Sequence, residues 1–337
     1  MNNAYKILVV NPGSTSDEIS YFEGDTEIFH KTVRYSPKDL EPYETQQVTS
    51  QFSFRASLVQ KTLEEAHVDL NTLDAIIGRG GLLRPIPSGT YAVDDLVLQD
   101  LIDGVGGDHP SNLGGIIAHH MAKDLGIPAF IADPVVVDEM EPVARFSGMP
   151  ENPRISIFHA LNQKRVARLA AAELGKPYQS CDLIVLHGGG GITVGAHHHG
   201  RVIDVNNGLD GEGPFTPQRS GSVPAGGLVK MCFSKKYSLT DMKLKIKGHG
   251  GLVAYLGTSD LLLIENYLDG KTLTDEEKSS LLPHVTPEFA SLCIEAMAYQ
   301  ISKEICSHLA TFKGHVDAIV LTGGIVRDKR LVEWIKS

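Results

Sequence analysis

The sequence is short of the features that mark several large protein classes. Its four cysteines, Cys181, Cys232, Cys293 and Cys306, contain no C-x-x-C pair. This argues against a disulfide framework or a cysteine-ligated zinc site, and for reduced thiols in a cytoplasmic protein. No apolar stretch is long enough to span a membrane. Met1 to Lys6 lead straight into a short strand pattern without the apolar core of a signal peptide, which also points to the cytoplasm. Neither Walker form occurs. There is no G-x-x-x-x-G-K-[ST], and no G-x-G-x-x-G opens a helix with an acidic partner downstream, so a P-loop and a nicotinamide-binding Rossmann domain are both disfavoured. Basic residues are in deficit, 31 Lys and Arg against 41 Asp and Glu for a formal net charge of −10. Nucleic acid and anionic membranes are therefore not expected partners.

What remains is an ordinary globular composition, 42% hydrophobic and 21% charged over 337 residues. That length exceeds the size at which one core usually stops growing, so two domains are expected. The most informative stretch is Asp182 to Asp204. Leu183–Leu186 is a continuous apolar run, as in a strand buried on both faces. It leads into His187 and the glycines Gly188–Gly191, then a second apolar run, a turn at Gly200, and a third run at Val202–Val205. Adjacent residues without Cβ let several backbone N–H groups approach and point at one ligand, commonly a phosphate, although such a run also suits a plain tight hairpin.

The opening of the chain repeats this pattern. Ile7–Val10 is apolar and is followed by Asn11-Pro12-Gly13-Ser14-Thr15-Ser16, a strand at Glu18–Phe22, a turn at Glu23–Asp25 and a strand at Thr26–His30. A shift of 176 residues puts Asn11 on His187, Gly13 on Gly189 and Gly24 on Gly200. A second echo pairs Asp74-Ala75-Ile76-Ile77-Gly78-Arg79-Gly80-Gly81 with Asp317-Ala318-Ile319-Val320-Leu321-Thr322-Gly323-Gly324, each after a helical pattern (Arg55–His67 and Ala290–Phe312). The duplication predicts two similar α/β domains facing a cleft.

Three glycine-rich loops thus close apolar strands: Asn11–Ser16, His187–Gly191 and Thr322–Ile325. Together they point to a nucleotide held by hairpin-type clamps. Arg79, at the end of a buried strand, and Arg219, in the long loop Asn206–Ser222, have guanidinium forks suited to carboxylate or phosphoryl oxygens. Arg219 also reads as a solvated loop residue. Asp133 ends an apolar strand before Pro134, a place for a metal-binding carboxylate or simply a turn. His159 reads as a satisfied core histidine or a site residue. His197-His198-His199 resembles a metal tract, but its place just before the hairpin turn predicts exposed turn residues.

Asn11–Ser16, Gly78–Gly81, His109-Pro110-Ser111-Asn112-Leu113, Asp133-Pro134, Phe158-His159-Ala160, Asp204–Asn207, Gly211–Phe215 and Arg219-Ser220-Gly221 together resemble the butyrate kinases of the acetate kinase family, within the sugar kinase, Hsp70 and actin superfamily. The resemblance runs along almost the whole chain. It implies two duplicated actin-like (ribonuclease H-like) domains with mixed sheets around a nucleotide cleft, at residues 1–135 and 136–337, the second with the adenosine loop. It implies ATP, Mg²⁺ and reversible phosphorylation of a short-chain carboxylate by a cytoplasmic homodimer. By resemblance Arg79, Asp133, His159 and Arg219 are catalytic. Asn11, Gly13, Ser14, Thr15, Ser16, His187, Gly189, Gly190, Gly191, Gly323, Gly324 and Ile325 bind nucleotide, and Asn11 and Asp133 adjoin the metal. The chain departs from the family pattern at Glu18, where a lysine is usual, at Gly188, where a bulky apolar residue is usual, and after Trp334, where members continue with a segment that closes the first domain. Those departures leave room for a nucleotide-binding homologue with impaired catalysis, and the acyl preference leaves room for another short or branched acid.

Overall fold

The structure is a computed structural model that describes residues 4–14, 16–43 and 46–337. Two compact units divide at Asp138/Glu139. Among the described residues no helix is long and apolar enough to cross a membrane.

The first unit contains β1 (Lys6–Pro12), β2 (Ser16–Glu23), β3 (Thr26–Arg34), α1 (Pro37–Leu40), α2 (Phe52–Glu65), β4 (Ala75–Arg79), β5 (Thr90–Ala92), α3 (Asp95–Asp103), α4 (Asn112–Leu125) and β6 (Ala129–Ala132). Its sheet runs β3-β2-β1-β4-β6-β5. β1, β4 and β6 are parallel, and the others pair antiparallel. Leu8, Val10, Ile19, Ile76 and Ile131 form its core with Leu113, Ile117 and Ala118 of α4. The helix stops follow the sequence signals: α3 ends at Gly104 and α4 at Gly126, both left-handed. The short edge strand β5 was not expected from the sequence; its three residues carry no readable alternation.

The second unit contains α5 (Ala160–Glu173), β7 (Asp182–Gly188), β8 (Ile192–His198), β9 (Arg201–Val205), α6 (Ala225–Cys232), α7 (Leu239–Ile246), α8 (Gly251–Leu256), α9 (Leu261–Leu268), α10 (Asp275–Ser280), α11 (Pro287–Thr311), β10 (Ala318–Thr322) and α12 (Lys329–Lys336). Its sheet runs β10-β7-β8-β9. The run Leu183–Leu186 is fully buried and feeds two clusters. Ile184 and Leu186 pack with Ile294, Ala298 and Ile301 of α11, and Leu183 and Val185 with Ala167 and Ala171 of α5. A strand covered by a helix layer on each face must be apolar at every position.

The duplication holds at the level of hydrogen bonds. β1 pairs with β4 from Ile7↔Ala75, and β7 with β10 from Leu183↔Ala318. Asp74 accepts from the Lys6 amide at 2.7 Å and Asp317 from the Asp182 amide at 2.8 Å. Each aspartate amide in turn donates back to the same residue's carbonyl at 2.8 Å. The loop after the first strand is one residue shorter in the second unit, since Asn11 faces Glu18 but His187 faces Thr193. Beyond it the offset is 175. The β-bulge between Tyr21 and Phe22 recurs between Ala196 and His197. Gly24 therefore corresponds to His199 rather than Gly200: the amides of Gly24 and His199 bond the carbonyls of Tyr5 and Cys181, and both residues have positive φ.

Candidate active site

In the first unit Asn11 and Pro12 end β1, Arg79 ends β4 and Asp133 follows β6. The registers Val10↔Gly78 and Arg79↔Ala132 bring these carboxyl ends side by side, where ligands bind in open α/β sheets. Asn11 Nδ2 donates to Glu18 Oε2 at 2.8 Å, and Arg79 Nη1 to the Pro12 carbonyl at 3.4 Å. Burial lowers the pKa of Arg79 while the nearby charge of Glu18 raises it. The carboxylate at this departure from the family pattern thus lies by Asn11 and acts on Arg79.

Asp133 is buried with φ 37°, unusual for a residue with a Cβ. Ser88 Oγ at 2.6 Å and the Gly89 amide at 2.9 Å donate to its Oδ1, and its own amide donates to the Gly89 carbonyl at 2.9 Å. The glycines around Arg79 are packing requirements. A Cβ on Gly78 would lie 2.1 Å from the Gly114 carbonyl oxygen, and one on Gly80 2.6 Å from Pro134. Buried Asn112 fastens the same loop, accepting from the Leu82 amide at 2.8 Å and donating to the Gly107 carbonyl at 3.0 Å.

The loop Asn11–Ser16 has an anchor that sequence reasoning missed. Arg55 of α2 is fully buried, ion-pairs with buried Asp17, and donates to the Gly13 carbonyl at 2.9 Å and the Ser14 carbonyl at 3.5 Å. Tyr35 donates to Asp17 Oδ2 at 2.5 Å and lies under the Arg55 guanidinium at 4.7 Å. A signal was available: Arg55 shares the buried stripe of α2 with Val59, Thr62 and Leu63, and a charge on a core face needs a partner. The expected loop residue Thr15 lies outside the described residues.

In the second unit His159 precedes α5, whose first turn carries Asn162 and Gln163 toward the sheet. The His159 ring stacks on His187 at 3.9 Å and 16°. Its Nδ1 bonds Thr193 Oγ1 at 2.9 Å, and His187 Nδ1 bonds Asn162 Oδ1 at 2.8 Å. Arg219 lies over the glycine loop: a Cβ on Gly191 would be 2.1 Å from its Nη1 and would push the guanidinium from this place. Arg219 donates to the Gly208 carbonyl. Its amide donates to Thr216 Oγ1 at 2.9 Å, whose hydroxyl reaches the Gly190 carbonyl at 2.6 Å. Burial lowers the pKa of Arg219, and Asp210 opposes the shift. The solvated-loop reading of Arg219 therefore gives way to a guanidinium largely sheltered from water.

Thr322↔His187 pairing sets Gly323–Ile325 beside the glycine loop. Ile325 Cδ1 fills the space a Cβ on Gly188 would take, 2.1 Å from that position. The absent side chain at Gly188 is thereby offset by Ile325. One expectation is corrected: His197 is not an exposed turn residue but fully buried in β8. Ile192 through His197 are all buried, and Thr193, Gly195 and His197 face Gln163 of α5, so their polar character does not mark a solvent face. His199 is exposed, and His198 bonds Asp182 at 2.6 Å.

Residues 154–333 match the family model described as the acetokinase family. The chain is 49% identical over 333 residues to a probable butyrate kinase of Elusimicrobium minutum, covering 99% of this chain and 89% of that one, and equally to butyrate kinase 1 of Clostridium acetobutylicum. Among solved structures it resembles acetate kinase from Porphyromonas gingivalis (TM-score 0.76, 20% identity, 98% of this chain and 86% of that one) and a propionate kinase from Francisella tularensis (TM-score 0.73, 19% identity, 98% and 87%). These structural matches show the actin-like fold. With half of its length matched by the family model and near-full coverage by relatives at that identity, the chain belongs to the acetokinase family.

Proposed function

We propose that this protein transfers the γ-phosphoryl group of ATP reversibly to butyrate or a close short-chain homologue, giving butyryl phosphate and ADP. As a member of the acetokinase family it is an ATP-using carboxylate kinase. The observation that carries the reading of the site is the assembly of His159, His187, Gly188–Gly191 and Arg219 around Thr193 and Gly208. A carboxylate is already a nucleophile and needs no general base. Catalysis then rests on alignment and on neutralising charge at the phosphoryl oxygens.

In this reading Arg219 and His159 donate to the moving phosphoryl group, and Arg79 holds the substrate carboxylate. The loops Asn11, Gly13–Ser16 and His187, Gly189–Gly191 hold phosphates through backbone N–H groups. Gly323, Gly324 and Ile325 support the adenosine. The oxygen donors of Asn11 and Asp133, at the carboxyl ends of β1 and β6 on either side of β4, suit a hard cation such as Mg²⁺. When bound, that ion supplies neutralising charge to the phosphate oxygens.

Acyl phosphate trapped with hydroxylamine, measured for acetate through valerate, tests the reading. Activity greatest at about four carbons supports it. No product from protein that is folded and binds ATP overturns it.

The protein acts as a homodimer through its second unit, a reading supported by α6, which has no buried residue, and by Val229, Phe233 and Leu239, which are 55%, 83% and 73% exposed. Exposed apolar side chains close in sequence on α6 and at the start of α7 suit an interaction site. Val229→Glu combined with Phe233→Glu is expected to convert the dimer to monomer in light scattering after gel filtration. A monomeric parent, or a doubly substituted protein that stays dimeric, removes this patch as the interface.

A further inference from the structure

The second unit contains a line of buried polar residues, Tyr178, His197, Gln163 and Thr193, that the phosphoryl transfer itself does not use. It ends on His159. Thr193, Gln163 and His197 are wholly buried, and Tyr178 is nearly so.

The direction of each bond follows from donor and acceptor rules, starting at Gln163. Its Nε2 lies 3.0 Å from the Thr193 backbone oxygen and 2.9 Å from Thr193 Oγ1. A backbone carbonyl only accepts, so the amide nitrogen faces Thr193 and Oε1 faces His197 Nε2 at 3.0 Å. That contact requires a hydrogen on His197 Nε2. Burial, aided by the charges of Lys164, His308 and Arg168, holds the His197 pKa well below the usual value, so the ring is neutral. Its Nδ1 then carries no hydrogen and accepts from the Tyr178 hydroxyl at 2.8 Å.

On the other side, Thr193 Oγ1 accepts from Gln163 Nε2 at 2.9 Å and from the His159 amide at 3.5 Å, which fills its two acceptor sites, so its own hydrogen turns to His159 Nδ1 at 2.9 Å. A neutral His159 then has its hydrogen on Nε2. Stacking on His187 fixes the plane of the ring, and Thr193 fixes its rotation within that plane.

We propose that Thr193, Gln163 and His197 are positioning residues for the transfer reaction, holding His159 in one orientation with Nε2 as its donor nitrogen. This inference rests on the reading of His159 as a group that donates to the phosphoryl oxygens. It adds a reason for the polar face of β8: the strand delivers Thr193 and His197 to opposite ends of Gln163, and Gly195 between them leaves room for the amide, since a Cβ there would lie 2.6 Å from Gln163 Oε1. A single tautomer at a catalytic histidine is set by the bond its other nitrogen makes.

The test combines ¹⁵N NMR of histidine-labelled protein, with His159 identified by its loss in His159→Asn, and steady-state kinetics. The parent protein is expected to show the Nε2–H pattern at His159. Thr193→Val removes the hydroxyl at nearly constant volume. It is expected to abolish the single-tautomer pattern and to lower kcat at least about tenfold, with KM for ATP little changed. Thr193→Ser keeps the hydroxyl and is expected to restore both. An Nδ1–H pattern in the parent protein overturns the proposal, and so does a Thr193→Val protein that loses only thermal stability. If Thr193→Val does not fold, the parent pattern and the Thr193→Ser kinetics decide. His159→Ala separates the two readings. Unchanged turnover there removes the catalytic role of His159, while the NMR pattern still reports on the hydrogen-bond line.

Discussion

Arg219→Ala is expected to lower kcat about 10³-fold, on the order of 4 kcal/mol of transition-state stabilisation, with a much smaller change in ATP affinity. The expectation follows from where the guanidinium sits. It is packed on Gly191, where a Cβ would displace it, and the Arg219 amide is tied through Thr216 to the Gly190 carbonyl. Its charge is largely shielded from water, and burial already works against the charged form, so it is held ready for an anion rather than being solvated. An interaction that strengthens only as charge builds on the phosphoryl oxygens appears in kcat, whereas uniform binding appears in KM. Arg219→Lys separates charge from geometry: it keeps the cation but loses the planar fork, and is expected to fall between the parent and the alanine variant. Isothermal titration with ATP alongside acyl phosphate kinetics reads both quantities. Equal losses in kcat and ATP affinity would mean that Arg219 only shapes the glycine loop.

How much of this was legible in the sequence differs from residue to residue. The run Leu183–Leu186 announced a strand covered on both faces, because burial on two sides leaves no position for a polar side chain. The duplication was legible because glycines and the aspartates just before β4 and β10 leave marks at fixed offsets. Asp74 and Asp317 prove to make the same bond in both units. The one-residue slip after the first loop was not legible, since a rigid offset has no means of absorbing a shortened turn and the strand pairing together with the shared β-bulge fixes the new register. His197 misled for a related reason. A polar residue near a turn looks exposed, yet the face of β8 it occupies is covered by α5, and its polarity is spent on Gln163 and Tyr178. The strand-end residues Arg79 and Asp133 could be singled out because they interrupt apolar runs. Thr193 and Gln163 could not, because their importance lies in pairing across 30 positions.

The second large effect concerns stability, and it is asymmetric. Asp17→Ala leaves the Arg55 guanidinium buried without its carboxylate, and arginine does not shed its proton in a protein. Breaking a buried ion pair from one side costs about 3–5 kcal/mol. Removing Arg55 instead, as Arg55→Met, leaves a carboxyl group that can be neutralised. Burial already raises the Asp17 pKa even with Arg55 and Tyr35 pulling it down, and without Arg55 it should rise further. A carboxyl with a folded pKa above its unfolded value binds more protons in the folded state, so stability falls as pH increases. The deficit of Arg55→Met should therefore shrink as pH is lowered from neutral toward the raised folded pKa of Asp17, while that of Asp17→Ala should not. The double variant should recover part of the loss, because no charge is then left buried alone. Thermal unfolding of the three variants across pH measures this, with hydrogen exchange in β1 and α2 to localise the change to the first unit. Arg55 also holds the carbonyls of Gly13 and Ser14. Both Arg55→Met proteins should then bind ATP more weakly than Asp17→Ala at equal folded fraction, since only they lose the anchor of the loop. Equal deficits for the two single variants at every pH would instead mean that Tyr35 and the loop carbonyls, rather than the ion pair, carry the stability of this corner.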